Sequence, residues 1–345
     1  MRAVTIRAHG GPDQLQVSEL PAPASPGPGE VVVALRAAAL NHLDLFVLGG
    51  LPGLALSFPH VPGADGAGVV QAVGADVRSV RPGDHVVLNP GLSCRSCETC
   101  AAGEHSLCPS YGLLGEHVSG TFREAITVPA ANAVPIPAHV PWAEAAAFPL
   151  TFLTAWRMVV TRAAVRAGET VLVWGIGGGV ALAALAILKR LGARVVVTSS
   201  SEEKLARARA LGADLAVNHA TADVVAEVRR FTDRRGADVV LETVGTATWD
   251  RSVRALSRAG RLVTCGATSG PSVGLDVRRL FWHQFAILGS TMGNDAEFAA
   301  VVGLLGEGAL RPVVDTMLPL REVRAAFERM ASGAQFGKIV LEIAA

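Results

Sequence analysis

Residues 171–191 read V-L-V-W-G-I-G-G-G-V-A-L-A-A-L-A-I-L-K-R-L. The apolar run Val171–Trp174 has the length and residue types of a strand. Four glycines follow within five positions: Gly175, Gly177, Gly178 and Gly179. Val180–Leu191 is then apolar and alanine-rich, long enough for a buried helix. A second apolar strand, Arg194–Thr198, comes after it. Strand, glycine turn and helix make the phosphate-cradling unit of a dinucleotide fold. Glycine permits the tight turn and lets the backbone approach a pyrophosphate. The helix start offers unpaired N–H groups and the positive end of its dipole. A purely structural turn is the bland alternative, and the strands on both sides argue against it. The usual last glycine of the fingerprint is Ala181 here, so Gly175 and Gly178 both stay candidates for the closest phosphate approach.

Downstream of the turn, strands and helices alternate. Glu202–Leu211, Ala222–Thr232 and Trp249–Leu256 read as helices; Leu215–Val217, Val239–Glu242, Arg261–Cys265 and Ala286–Ser290 read as strands. That alternation predicts an α/β fold with a doubly wound parallel sheet. Upstream, Val31–Leu35, Ala67–Val73, His85–Leu88 and Ala125–Val128 are short strands bounded by Gly or Pro, the pattern of a partly closed β-barrel. Pro141–Val160 switches to helix. The tail adds helices at Glu297–Leu305 and Val323–Met330 and a strand at Lys338–Ile343 that could return to the first domain. The expected division is 1–150, 151–292 and 293–345.

Half of the 345 residues are hydrophobic and 18% are charged, enough apolar material for more than one core. A net charge of +1 gives no electrostatic reason to expect nucleic acid or an anionic membrane as partner. No apolar run reaches membrane-spanning length without glycine or charge, and Met1–Thr5 does not read as a signal peptide. A cytoplasmic protein is expected. Four of the five cysteines form Cys94-x2-Cys97-x2-Cys100-x7-Cys108. Four clustered thiols in such a chain favour a metal over disulfides. One zinc ion, closed off by four thiolates and therefore structural, suits them best; free thiols and an iron–sulfur cluster are the alternatives. Cys265 stands apart as a small core residue.

Taken with these motifs, Gly63-Ala64-Asp65-Gly66-Ala67-Gly68-Val69-Val70, Leu153-Thr154-Ala155-Trp156 and Phe336-Gly337-Lys338-Ile339-Val340 resemble the medium-chain dehydrogenase/reductase superfamily of zinc alcohol dehydrogenases and quinone oxidoreductases. The resemblance covers essentially the whole chain. It implies a GroES-like β-barrel catalytic domain, an inserted Rossmann domain, a cofactor in the cleft between them, and a homodimer or homotetramer that pairs through Ala286–Ser290. The departures bear on mechanism. Members with a catalytic zinc carry Cys where this chain has Asn41, Gly-His-Glu where it has Gly63-Ala64-Asp65, and a third ligand near Leu150. Asn, Ala and Leu make no tight zinc site. A proton-relaying hydroxyl of the alcohol dehydrogenases falls at Leu43, which has no proton to give. An unusual metal site of His42, Asp44, His60 and Asp65 is the alternative.

The resemblance thus implies a zinc-free reductase of quinones or α,β-unsaturated carbonyls. Hydride from a nicotinamide would reach the β-carbon while the oxygen takes a hydrogen bond. Asn41 is the first donor to name, with a local turn cap as its bland role. His42 would polarise the carbonyl, protonate the product or touch cofactor phosphate. Asp44 and Asp65 would hold the site through hydrogen bonds. Tyr111 would serve as an acid only if its loop reaches the cleft; water is the simpler proton source. For the cofactor, the resemblance puts Thr154 and Val180 behind the nicotinamide, Thr243, Val244, Gly266 and Ala267 at strand ends, and Lys338 near the pyrophosphate. NAD-preferring members place an acid where Ser199 stands. Ser199 and Ser200 leave room for a 2′-phosphate, with Lys204 adding charge, so NADP(H) is favoured over NAD(H). Ser200 with Glu203 also reads as a helix capping box. An alcohol dehydrogenase and a nucleotide-binding protein with little catalysis are the competing functions.

Overall fold

Upstream of Pro141 most apolar runs are short and broken by Gly and Pro, and they pair as strands. The computed structural model describes residues 1–343. The chain divides into two compact units, Met1–Thr151 with Gly293–Ala345, and Phe152–Met292.

The first unit is built on Glu30–Ala39, a ten-residue strand. It pairs antiparallel with Asp65–Val73, Ala125–Pro129 and Lys338–Glu342. His85–Leu88 and Ala133–Pro135 extend the sheet on one side and Val314–Pro319 on the other. The tail therefore returns to the first sheet, as its last strand suggested. Val33, Leu35, Val70, Val86, Phe122 and Phe327 lie in the core of this unit. Strand register brings remote residues together. Ala39 stands opposite Asp65 on one side and Val340 on the other, and Leu40 N donates to Ile339 O at 2.9 Å. The chain then turns into a helix, His42–Gly49. Asn41, Asp65 and Lys338 are thereby gathered at one end of three adjacent strands. Several elements had no clear sequence signal, among them this helix, the two strands of the N-terminal hairpin, Arg2–Ile6 and Leu15–Glu19, and the strand Val314–Pro319. Each is short or weakly periodic.

The second unit holds a six-stranded parallel sheet in the order Leu215–Asn218, Arg194–Ser199, Thr170–Val173, Ala237–Glu242, Leu256–Thr264, Ala286–Gly289. Helices connect successive strands, so the expected α/β, doubly wound Rossmann-type sheet is present. Strand order reverses beside Thr170–Val173, the place where such sheets bind ligands. The glycine turn leaves this strand and enters the helix Gly179–Arg190. The capping expectation at Ser200 is corrected. The strand runs on to Ser199, which pairs with Asn218, so the helix begins at Glu202 and Ser201 caps it by accepting from Lys204 N. No helix among the described residues is long and apolar enough to cross a membrane.

Gly68, on Asp65–Val73, faces Leu35 across the ladder, and a Cβ there would lie 2.1 Å from the Ala34 carbonyl oxygen. Gly68→Ala is expected to lower the stability of the first unit by about 2–3 kcal/mol through overpacking against backbone. Gly49→Ala, where nothing lies within 4 Å, serves as control. Equal urea midpoints for the two variants would contradict this.

Candidate active site and zinc lobe

Asp65 is fully buried, and its carboxylate ties together four parts of the first unit. Oδ1 accepts from Leu150 N at 2.9 Å. Oδ2 accepts from Asn41 Nδ2 at 2.9 Å and from Lys338 Nζ at 2.8 Å. Its own carbonyl accepts from Thr121 Oγ1 at 2.7 Å. Lys338 is 4% exposed and Asn41 6%. Lys338 Nζ also donates to Asn41 Oδ1. An ammonium only donates and a carboxylate only accepts, so the Asn41 amide has one admissible orientation. One Nδ2 proton goes to Asp65. The other has no protein acceptor among the described residues.

Asn41 is also the N-cap of His42–Gly49, the local role suggested for it. Asp44 accepts from Asn41 N at 2.7 Å and from Gly63 N at 3.0 Å. It locks the helix start onto the segment that leads into Asp65. Burial pushes the Asp44 carboxyl up to about 7, against the pull of those two N–H groups and of Lys338. His42 occupies the first helical turn with an exposed edge. Its surroundings, first by desolvation and then through Lys338, hold its pKa below the usual histidine value. That direction favours the neutral ring and weakens the case for His42 as an imidazolium donor.

Asn41, His42, Asp44 and Asp65 thus come together, and Lys338 joins them. The expectation that Lys338 meets a pyrophosphate is corrected: two of its three N–H donors are engaged inside the first unit. The unusual metal site is not formed. His60 is turned away, with Nε2 2.9 Å from Gly115 O. Among the described residues only the four cysteines bring three or more metal-ligating groups into one cluster. Tyr111 packs over Gly91 in the neck of the cysteine lobe.

That lobe is pinched at its base by the pairing of Gly91–Leu92 with Gly112–Leu113. Its four sulfurs lie within 4.8 Å of one another. Tetrahedral zinc–thiolate bonds of about 2.3 Å need sulfurs about 3.8 Å apart, and a small contraction reaches that. Backbone N–H groups of Ser96 and Cys97 lower the Cys94 thiol to about 6, favouring the thiolate that ligates. The donor set fits a structural zinc and leaves no position open for substrate. Cys265 belongs to the other unit, where burial pushes its thiol up to about 12 and disfavours the thiolate.

In the second unit the cofactor candidates gather at the C-terminal edge of the sheet. Gly175 and Gly177 adopt φ of 67° and 121°, conformations that other residues rarely tolerate. A Cβ on Gly175 would meet nothing within 4 Å: the turn borders open space. Thr198 secures it, accepting from Gly175 N through Oγ1 at 3.2 Å and from Ile176 N through its carbonyl at 2.7 Å. Gly178 caps Gly179–Arg190 without a side-chain hydrogen bond, so the first N–H groups, Val180 included, stay available to an anion. Ser199 is buried and Ser200 exposed at the end of the neighbouring strand; Ser199 Oγ accepts from Ser201 N at 3.1 Å. Lys204 is half-buried in the helix Glu202–Ala210. Thr243 and Val244 follow Ala237–Glu242, and Gly266 and Ala267 follow Leu256–Thr264. Sequence reasoning missed Glu242. Fully buried, it accepts from Val244 N at 2.7 Å, Gly245 N at 3.1 Å, Thr248 Oγ1 at 2.9 Å and Ser252 Oγ at 2.5 Å. An acid closing an apolar strand was its only signal. Thr154 Oγ1 donates to Met292 Sδ at 3.5 Å.

Two family models match the chain: an alcohol dehydrogenase GroES-like domain over residues 27–138 and a zinc-binding dehydrogenase over residues 179–307. A zinc-type alcohol dehydrogenase-like protein of Schizosaccharomyces pombe is 34% identical, covering 96% of each chain. An acryloyl-coenzyme A reductase of Metallosphaera sedula is 31% identical, covering 99% of each. A crystal structure described as an NAD-dependent alcohol dehydrogenase is 48% identical, covers 100% of both chains and superposes with a TM-score of 0.95.

Asp44 gives a signed pH dependence. Its folded value, about 7, lies above the ordinary 3.8. The stability it contributes is therefore complete below about pH 4 and lost as pH rises through 7. Relative to Asp44→Asn, the wild type should gain about 2–3 kcal/mol between pH 8 and pH 5. Denaturant unfolding of both proteins checks this, and a difference that stays constant across the range refutes it.

Proposed function

The chain belongs to the zinc-type medium-chain dehydrogenase/reductase superfamily, and on that premise we propose that it is an NADPH-dependent reductase of quinones or α,β-unsaturated carbonyls that works without a catalytic zinc. One observation carries the reading: Asn41 and Leu150, two of the positions where a metal would need ligands, are held by Asp65 through Nδ2 and the backbone N–H, and Asp65 is paired with Lys338. An amide and an apolar side chain are poor zinc donors, and both oxygens of the carboxylate are engaged. Chemistry without a Lewis acid requires an acceptor that is already electron-poor, and conjugation supplies that.

A bound reduced nicotinamide supplies the hydride. In this proposal, Gly175, Gly177, Gly178, Gly179 and Val180 cradle the pyrophosphate, while Thr154, Thr243, Val244, Gly266 and Ala267 border the rest of the nucleotide. Ser199, Ser200 and Lys204 receive the 2′-phosphate. The buried Ser199 hydroxyl and the absence of an acid there favour NADP(H). Asn41 donates its uncommitted N–H to the acceptor oxygen as enolate charge develops on it. Asp44 and Asp65 keep that amide in place, His42 contributes at most a neutral N–H, and water returns the proton. The four cysteines hold one structural zinc. Self-association completes the proposal. Ala286–Gly289 is an edge strand, and Val277, Phe281 and Trp282 beside it are 63%, 62% and 68% exposed, an apolar patch that suits pairing of copies. A cytoplasmic site of action fits the clustered thiols. The crystal structure at 48% identity favours a second reading, an NAD-dependent alcohol dehydrogenase.

Purified protein should contain one zinc per chain and reduce enones or quinones with no added metal. Two zincs per chain, or alcohol oxidation without enone or quinone reduction, would reject the first reading for the second. NADPH should show a KM at least about tenfold below that of NADH, and Ser199→Asp should reverse the order by repelling the 2′-phosphate. A wild-type preference for NADH would sink the NADP(H) assignment.

A further inference from the structure

Lys338 is an expensive residue where it stands. The strand it begins continues as Ile339, Val340 and Leu341, each fully buried, and its own side chain is 4% exposed. A buried ion pair is commonly no more stable than an apolar substitute of similar volume. Stability alone therefore gives no reason for an ammonium at this point in the strand.

Its geometry gives one. A side-chain amide such as that of Asn41 can be turned two ways with nearly the same shape, and only hydrogen bonding selects between them. Lys338 Nζ donates to Asn41 Oδ1 at 2.5 Å and to Asp65 Oδ2 at 2.8 Å. Asp65 accepts from Asn41 Nδ2 on that same oxygen, and Leu150 N holds its other oxygen. We propose that Lys338 is a positioning residue: it takes over the charge-organising part of a catalytic metal, fixing Asn41 so that a polarised N–H, rather than the amide oxygen, is offered to the acceptor carbonyl. The inference rests on the reductase reading for the identity of that acceptor. The fixed amide itself is a property of this network alone. A cation on Oδ1 draws electron density from the amide and strengthens the remaining N–H as a donor.

Two variants separate positioning from folding. Lys338→Met leaves Asp65 buried and unpaired. Lys338→Met combined with Asp65→Asn removes both charges and keeps the packing. The double variant should stay folded by circular dichroism, bind NADPH with KM within about twofold of wild type, and lose kcat for enone or quinone reduction about 10- to 100-fold, as for a misdirected oxyanion donor. A second readout needs no turnover. In ¹⁵N-labelled protein the Asn41 side-chain amide, assigned by its loss in Asn41→Asp, should show two well-separated proton shifts in wild type that collapse towards exposed-amide values in the double variant. Unchanged kcat together with an unchanged amide signal in the double variant overturns the inference. So does parallel loss of kcat, cofactor binding and fold in both variants, which assigns Lys338 to structure alone. If wild type reduces no enone or quinone, the functional reading fails, and the amide signal still decides whether Lys338 orients Asn41.

Discussion

A single buried carboxylate, that of Asp65, ties one end of the first unit together. It stands where three strands end together, and it receives a backbone N–H, an amide and an ammonium from segments that are remote in sequence. Such a group tolerates loss of a partner badly. Leaving one charge of a buried pair uncompensated typically costs about 3–5 kcal/mol, whereas neutralising both is often nearly free. The network therefore behaves as a unit. Any change at Asn41, Asp65 or Lys338 is felt by the other two, and single substitutions there mix folding with function in a way that paired substitutions do not.

The second unit solves a different problem with different means. Thr198 holds the N–H groups of Gly175 and Ile176 in the turn, while the helix that follows has glycine at its cap and no side-chain acceptor for its first N–H groups. Elsewhere at the same sheet edge the opposite holds. Glu242 satisfies two backbone N–H groups and two hydroxyls around 243–252, which stiffens the loop next to the turn.

Legibility in the sequence followed the range of the interactions. The glycine turn, the alternating strands and helices and the four-cysteine spacing are local patterns, and the fold built from them was readable. Asn41, Asp44 and Asp65 were named from the sequence as candidates, and the structure brings them together. The role of Lys338 was not readable, since its partners lie 297 and 273 residues away, and a lysine opening a strand reads as an edge charge. The signal was present in weaker form: three apolar residues follow it with no polar alternation, the pattern of a strand buried on both faces. The capping error at Ser200 has another cause. Ser199, Ser200 and Ser201 are equivalent by type, and only the pairing of Ser199 with Asn218 decides that the helix starts after Ser201.

The contrast between the retained and the replaced metal positions arises from the same distinction of range. The four cysteines, Cys94 to Cys108, belong to one loop, so the ion they suit closes a local structure, and the lobe needs few other contacts. Those it has are modest: Arg95 meets Asp295 at 2.7 Å with both side chains about one-third exposed, a pair worth about 1 kcal/mol or less. Without a metal such a lobe has little to order it. The vacated site differs, because its ligand positions belong to separate strands and helices that the sheet already holds in place. There a buried charge pair and an amide stand instead, and the cost of burying Lys338 falls on a sheet that is already in place. On the proposed reading, zinc is kept where it makes structure and dispensed with where the sheet already holds the site in place, which leaves the reactive demands on the substrate.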